Sequence, residues 1–169
     1  MKTTAKRIIF GILIIINCAT IFYFSHQVAD NSSQQSIRVV EVISNILPSI
    51  KNMEEPKKAT LKEQVLTPIV RKSAHFSIYA MLGIWTINFI NTFQKLKIQK
   101  KIILSMLFCM LYAITDEIHQ TFISGRSGEI RDIIIDSLGA LIGMILILLM
   151  SKIINKQYNI KNRAKIIEN

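Results

Sequence analysis

Tyr112-Ala113-Ile114-Thr115-Asp116-Glu117-Ile118-His119-Gln120 and Asp132-Ile133-Ile134-Ile135-Asp136-Ser137-Leu138-Gly139 carry acids inside runs apolar enough to enter a bilayer. A carboxylate at the centre of a membrane helix costs ~3 kcal/mol on insertion scales, so such a group normally has a task and a partner. Reading outward from these two stretches gives an all-α chain, a four-helix transmembrane bundle. Its spans are expected at about 8–24, 68–93, 102–123 and 130–154.

The composition agrees. Half of the 169 residues are hydrophobic and the mean hydropathy is +0.37, high for a water-soluble domain. The length suits a single membrane domain covering residues 1–169. The net charge of +10 does not point to nucleic acid. Lys2, Lys6 and Arg7 precede the first apolar run, and Lys95, Lys97, Lys100 and Lys101 lie between the second and third. Lys152, Lys156, Lys161, Arg163 and Lys165 follow the fourth. These cations flank spans and line no aromatic-studded face, so membrane lipids are the expected partner and nucleic acid is not. Twelve of the 21 Lys and Arg fall on those three flanks, which favours both termini in the cytoplasm, against the outward placement of Arg71 and Lys72. The localisation expected is therefore a membrane, crossed several times.

The first run, Ile8 to Phe24, reads as an uncleaved anchor, with a cleaved signal peptide as the alternative. Thr67-Pro68 reads as N-cap and first-turn proline of the second span. The outer segment, about 33–66, should hold short amphipathic helices. Ser32-Ser33-Gln34-Gln35 has the form of a capping box, followed by Ile37, Val40, Ile43, Ile46, Leu47 and Ile50 at helical spacing. Leu61, Val65 and Leu66 continue the pattern. Such helices would lie on the outer surface or cover the mouth of the bundle. Cys18 and Cys109 sit in apolar runs as packing residues.

Depth follows from a rise of ~1.5 Å per residue, counted from the cytoplasmic lysines. His75 comes at ~30 Å and Tyr79 at ~24 Å. Asp116 and Glu117 come at ~22–24 Å, Asp136 at ~24 Å and Asp132 at ~30 Å. Three helices thus place polar groups at one height in the outer leaflet, which implies a shared cavity open to the outside. On the fourth span Asp132, Asp136, Gly139, Ala140 and Gly143 form one stripe, and Gly139-x-x-x-Gly143 lets another helix approach closely. Arg71, His75, Tyr79 and Thr86 lie near one face of the second. Asp116, His119 and Gln120 share a face of the third, with Glu117 turned ~100° away and available for an ion pair with Arg71, Lys72 or Arg126. In the loop Ser124-Gly125-Arg126-Ser127-Gly128, Arg126 could bend back over the acids or hold an anionic group.

The same residues resemble the VanZ-like family. The pattern runs Phe24-Ser25-x-Gln27, then Arg71-Lys72-x-x-His75-Phe76-x-x-Tyr79-x-x-Leu82-Gly83. It continues Asp116-Glu117-x-x-Gln120-x-Phe122-x-x-Gly125-Arg126 and Asp132-x-x-x-Asp136-x-x-Gly139-x-x-x-Gly143. Two positions depart: Asp136 stands where the family often has Asn, and Ser124 replaces a frequent proline. The resemblance implies a bacterial envelope protein, in a Gram-positive setting, with a link to resistance against the lipoglycopeptide teicoplanin. It implies no particular reaction.

Three functions are consistent with these residues. One is a binding or modulating protein whose cavity takes an envelope lipid, a lipoglycopeptide or a partner, with Arg71, Lys72, Tyr79, Glu117, Gln120, Arg126 and Asp132 as contacts. The alternative is a membrane enzyme acting on a lipid-linked envelope substrate, with His75 as base and Asp116 or Asp136 as acid partner. No His-Glu-x-x-His helix and no Gly-x-Ser-x-Gly elbow accompanies them. Transport is the third, and the inner halves of the third and fourth spans offer no ionisable relay for it. No cofactor is expected. His26, His75 and His119 could hold a divalent ion with the nearby acids, although no spaced pair marks a metal site. Asn17, mid-span, is expected to bond across helices. Nothing in the sequence sets an oligomeric state.

Overall fold

The computed structural model describes residues 3–93 and 95–167, without the side chains of 29–31 and 161–167. Lys2 and the side chains of Lys161, Arg163 and Lys165, part of the flanking charge, lie outside the described residues. Apart from its turns the described chain is helical: α1 (Thr3–Ser25), α2 (Ala29–Ile46), α3 (Pro48–Lys51), α4 (Lys57–Thr60), a π-helical turn (Leu61–Leu66), α5 (Thr67–Asn91), α6 (Ile98–Gln120) and α7 (Ile130–Ile167). Three helices, α1, α6 and α7, are long and apolar enough to cross a membrane. Their outward faces carry Ile8, Ile12, Ile15, Leu107, Leu111, Ile142 and Leu149, all exposed. Apolar side chains directed outward suit hydrocarbon as the surrounding solvent.

The fourth long helix, α5, is the centre of the bundle and packs against α1, α2, α6 and α7. Its buried residues Tyr79, Leu82, Gly83, Thr86 and Ile87 meet Ile21, Cys109, Ala113, Ala140 and Met144 in one core. Contact with α7 is set by glycine. A Cβ on Gly139 would come within 2.4 Å of the Phe76 carbonyl oxygen, and one on Gly143 within 2.1 Å of that of Ala80. The small-residue stripe expected on the last span is therefore the α5–α7 seam, with backbone against backbone.

Several boundaries differ from the sequence reading. Thr67 is not an N-cap: α4, the π-helical turn and α5 run on without a break, and Thr67 Oγ1 donates to the Lys62 carbonyl at 2.8 Å inside that helix. The capping box around Ser32 is not formed either, because α2 starts at Ala29 and no side chain caps it. The buried face of α2 is Ser36, Val40 and Ser44, while Ile37, Val42 and Ile46 are exposed. The serine hydroxyls bond to their own helix, Ser36 to the Ser32 carbonyl and Ser44 to that of Val40. Small side chains that satisfy themselves allow a close approach, and the larger apolar ones are left facing outward. Helix α6 begins four residues before the expected start, and α7 continues past residue 154 to Ile167, since no Gly or Pro interrupts its charged end.

Across the bundle, Asn17 is not the group that joins α1 to α6. Its side-chain oxygen is buried without a hydrogen bond, and Tyr112 instead donates its hydroxyl to the Cys18 carbonyl at 2.6 Å. At the end of the bundle where α1 begins and α5 finishes, Arg7 donates to Thr92 Oγ1 and to the Thr92 carbonyl and lies 4.3 Å over the Phe93 ring. Phe10 stacks on Trp85 nearby. Cys18 and Cys109 are free thiols in the packing.

Candidate functional site

The polar groups gather at the other end, where α1 and α6 finish and α5 and α7 begin. They line a cavity of ≈ 80 Å³ whose walls include Arg71, Lys72, His75, Glu117, Gln120, Arg126, Asp132 and Asp136. Three helices and the α6–α7 loop supply these walls; none comes from residues 29–66. The amphipathic segment thus packs on α5 beside the cavity and does not line it.

Asp116 is buried because α6 turns it inward one helical turn before Gln120. Ser25 Oγ, at the end of α1, donates to Asp116 Oδ2 at 2.9 Å, and Gln120 Nε2 donates to the same oxygen at 3.2 Å. Glu117 is equally buried. It makes no ion pair with Arg71, Lys72 or Arg126; it accepts hydrogen bonds from Gln120 Nε2 at 3.0 Å and from the Glu129 backbone N–H at 2.9 Å. The second bond satisfies an orphan donor at the start of α7, so Glu117 caps that helix from a neighbouring one. Helical periodicity placed Glu117 off the Asp116 face, and the chain reversal at 121–129 brings α7 over to meet it.

Arg126 does fold back over the acids. Gly125, at φ 76°, makes the left-handed turn that a side chain would disfavour. Arg126 Nη1 then donates to Gln120 Oε1 and Nη2 to the Phe24 carbonyl, both at 3.2 Å, while Nε is buried without a partner. Burial, with the like charge of Arg71 next, holds this guanidinium below its usual range. Lys72 forms ion pairs with Asp132 and, at 3.6 Å, with Glu129. Arg131 hydrogen-bonds Glu129 and, with Lys72, holds its carboxyl below the ordinary carboxylate range. Arg71 lines the cavity and forms no hydrogen bond or ion pair among the described residues.

Deeper in, His75 Nδ1 lies 3.9 Å from Asp136 Oδ2. His75, Asp116 and Asp136 present one donor atom each within 4.8 Å of one another. Tyr79 is fully buried, with its hydroxyl unpartnered; it lies outside the cavity lining. The three histidines do not converge. His26 and His119 pair with each other, Nδ1 to Nε2 at 3.3 Å, against the Phe22 ring. Sequence reasoning left Ser25 and Glu129 out of the site. Ser25 lay in the Phe24-Ser25-x-Gln27 motif, which could have marked it; Glu129 had no signal beyond its position ahead of α7.

The VanZ/LLP1 pattern matches residues 10–151, nearly the whole bundle and every residue of this cavity. The chain belongs to the VanZ/LLP1 family. With three helices long and apolar enough to cross a membrane, this VanZ/LLP1 chain is a membrane protein. No curated protein and no solved structure matches it.

Proposed function

We propose that this VanZ/LLP1 protein spans the bacterial plasma membrane four times, with both termini cytoplasmic. In this reading its outward cavity binds the anionic headgroup, phosphate or carboxylate, of an envelope lipid and thereby lowers lipoglycopeptide susceptibility. The observation that carries the reading is Arg71, a cation on the cavity wall with no protein partner among the described residues, facing a region it shares with Arg126. Two guanidiniums near one space repel each other, and an anion between them removes that repulsion. A volume of ≈ 80 Å³ takes a few waters or one phosphate-sized group and not a glycopeptide, so the ligand enters by its headgroup. Flanking lysines at the opposite end support the orientation.

The test is retention of phosphatidylglycerol against phosphatidylcholine by the purified full chain, read by native mass spectrometry. Wild type is expected to retain the anionic lipid, and Arg71→Gln to retain about tenfold less, one lost charge-assisted contact being worth ~1.5 kcal/mol. Equal retention by both proteins would refute headgroup binding at this cavity. Expression of the same pair at equal membrane levels in a sensitive Gram-positive host, scored for teicoplanin susceptibility, tests the link to resistance. The enzyme alternative, acid–base chemistry on a lipid-linked substrate, is favoured by the convergence of His75, Asp116 and Asp136. It predicts turnover that Arg71→Gln slows and His75→Ala abolishes.

A further inference from the structure

We propose that His75, Asp116 and Asp136 form the binding site of one divalent cation of the zinc or manganese type. Each residue comes from a different helix, α5, α6 and α7, and their donor atoms fall within 4.8 Å of one another. An ion with ligands at ~2.0–2.2 Å holds donors up to ~4.4 Å apart, so a small adjustment of side-chain torsions closes the set. The 3.9 Å between His75 Nδ1 and Asp136 Oδ2 is too long for a hydrogen bond and suits two ligands of one ion.

A second observation points to a ligand there. Asp136 is 2 % exposed, and its Oδ2 has no hydrogen-bond partner. Tyr79, one turn along α5 from His75, is 0 % exposed, has an unpartnered hydroxyl and shares its surroundings with Asp116 and Asp136. Buried polar groups in folded proteins are almost always satisfied, so two orphans at one place call for a missing partner. The nearby cations do not supply it: Arg71 lines the same cavity and forms no ion pair with either acid. Lys72 is held by Asp132 and Glu129, and Arg126 by Gln120 and the Phe24 carbonyl. Ionised as ligands beside a neutral imidazole, the two carboxylates would contribute −2, which a divalent ion neutralises in a medium where bare charge is costly.

The donor set also sets the class. One imidazole with two carboxylates and no thiolate suits zinc or manganese and not a soft monovalent ion. Ser25 and Gln120 both donate to Asp116 Oδ2 and so fix the carboxylate with Oδ1 left to coordinate; such outer hydrogen bonds orient metal ligands. His75 and Asp136 also line the cavity, so open coordination positions face the space near Arg71 and Arg126. The exposed His26–His119 pair is separate, and the ion is assigned to the buried trio.

The full chain, purified in detergent, stripped with EDTA and dialysed, is titrated with Zn²⁺ and with Mn²⁺. Bound metal is read by elemental mass spectrometry and stability by thermal unfolding. Wild type is expected to take up one ion per chain, with its unfolding midpoint raised by several degrees. Asp136→Ala, which removes an unpartnered acid and is expected to fold, should lose at least tenfold in affinity together with the shift, and so should His75→Ala. The double variant His26→Ala/His119→Ala should keep both. Failure of wild type to bind either ion stoichiometrically overturns the proposal without any variant. Uptake undiminished in Asp136→Ala, or lost only in the double variant, overturns it as well.

Discussion

Adding one methyl group to Gly143 should open the seam that aligns the site. In Gly143→Ala the new Cβ would stand 2.1 Å from the Ala80 carbonyl oxygen, about 1.3 Å short of the 3.4 Å at which ordinary contact begins. The obstacle is backbone, with the Ala80 carbonyl carbon at 2.8 Å and Cα at 3.0 Å, so no rotamer relieves it and α7 must move away from α5. Overpacking costs ~1–3 kcal/mol, and a backbone obstacle belongs at the upper end. A gap of 0.5–1 Å along the seam also forfeits a quarter to a half of each van der Waals contact. Alanine returns ~1 kcal/mol through its higher helix propensity. The net is a loss of ~2 kcal/mol, or ~30-fold in the folding equilibrium.

The assay is reversible unfolding of purified protein in mixed micelles, followed by circular dichroism. Gly11→Ala serves as the internal control, because its Cβ would meet only the Phe89 ring at an ordinary 3.7 Å, so the propensity gain should leave it neutral or slightly more stable. If Gly143→Ala proved as stable as Gly11→Ala, the close α5–α7 contact would be refuted. The placement of Lys72 against Asp132 and of His75 beside Asp136 would then lose its basis, since both pairs bridge that seam.

Two further expectations concern buried acids. Ser25→Ala removes the donor that reaches Asp116 from α1 and should destabilise the bundle by ~1–3 kcal/mol in the same unfolding assay; an unchanged midpoint would mean that Asp116 needs no partner from α1. Glu117→Ala leaves the Glu129 N–H without its acceptor and should speed amide hydrogen exchange about tenfold in the first turn of α7, with α1 unaffected. Uniform exchange across all helices would show that Glu117 supports the whole bundle and does not act as a cap.

Much of the site was legible because membrane burial makes polar residues expensive. Asp116, His75 and Asp136 stood out against apolar surroundings, and the constant rise of a helix was enough to put them at one height; Arg126 was marked by its place in the glycine-flanked loop. The stripe Asp136–Gly139–Gly143 told which face of the last span looks inward, and the structure places Gly139 and Gly143 against the carbonyls of α5. Local capping signals misled at Thr67 and Ser32, because neighbouring helical turns had already supplied partners for the backbone donors there. On α2 the apolar spacing was real but did not mark one buried face: Val40 packs inward while Ile37 and Ile46 point outward, since hydrocarbon, like a core, accepts isoleucine.

By itself, then, the sequence determined the helical class, the polar layer near one end and the family pattern, all of which depend on spacing along one chain. Which polar group meets which was decided only by tertiary structure. Glu117 became a cap for α7 and not the partner of an arginine. Tyr112, not Asn17, joined α6 to α1. His75 met Asp136 while His119 turned away to His26. Those pairings depend on the rotation and crossing of separate helices, which backbone contact at Gly139 and Gly143 and the reversal at Gly125 set. Helical periodicity fixes angles within one helix and contains no information about the angle between two.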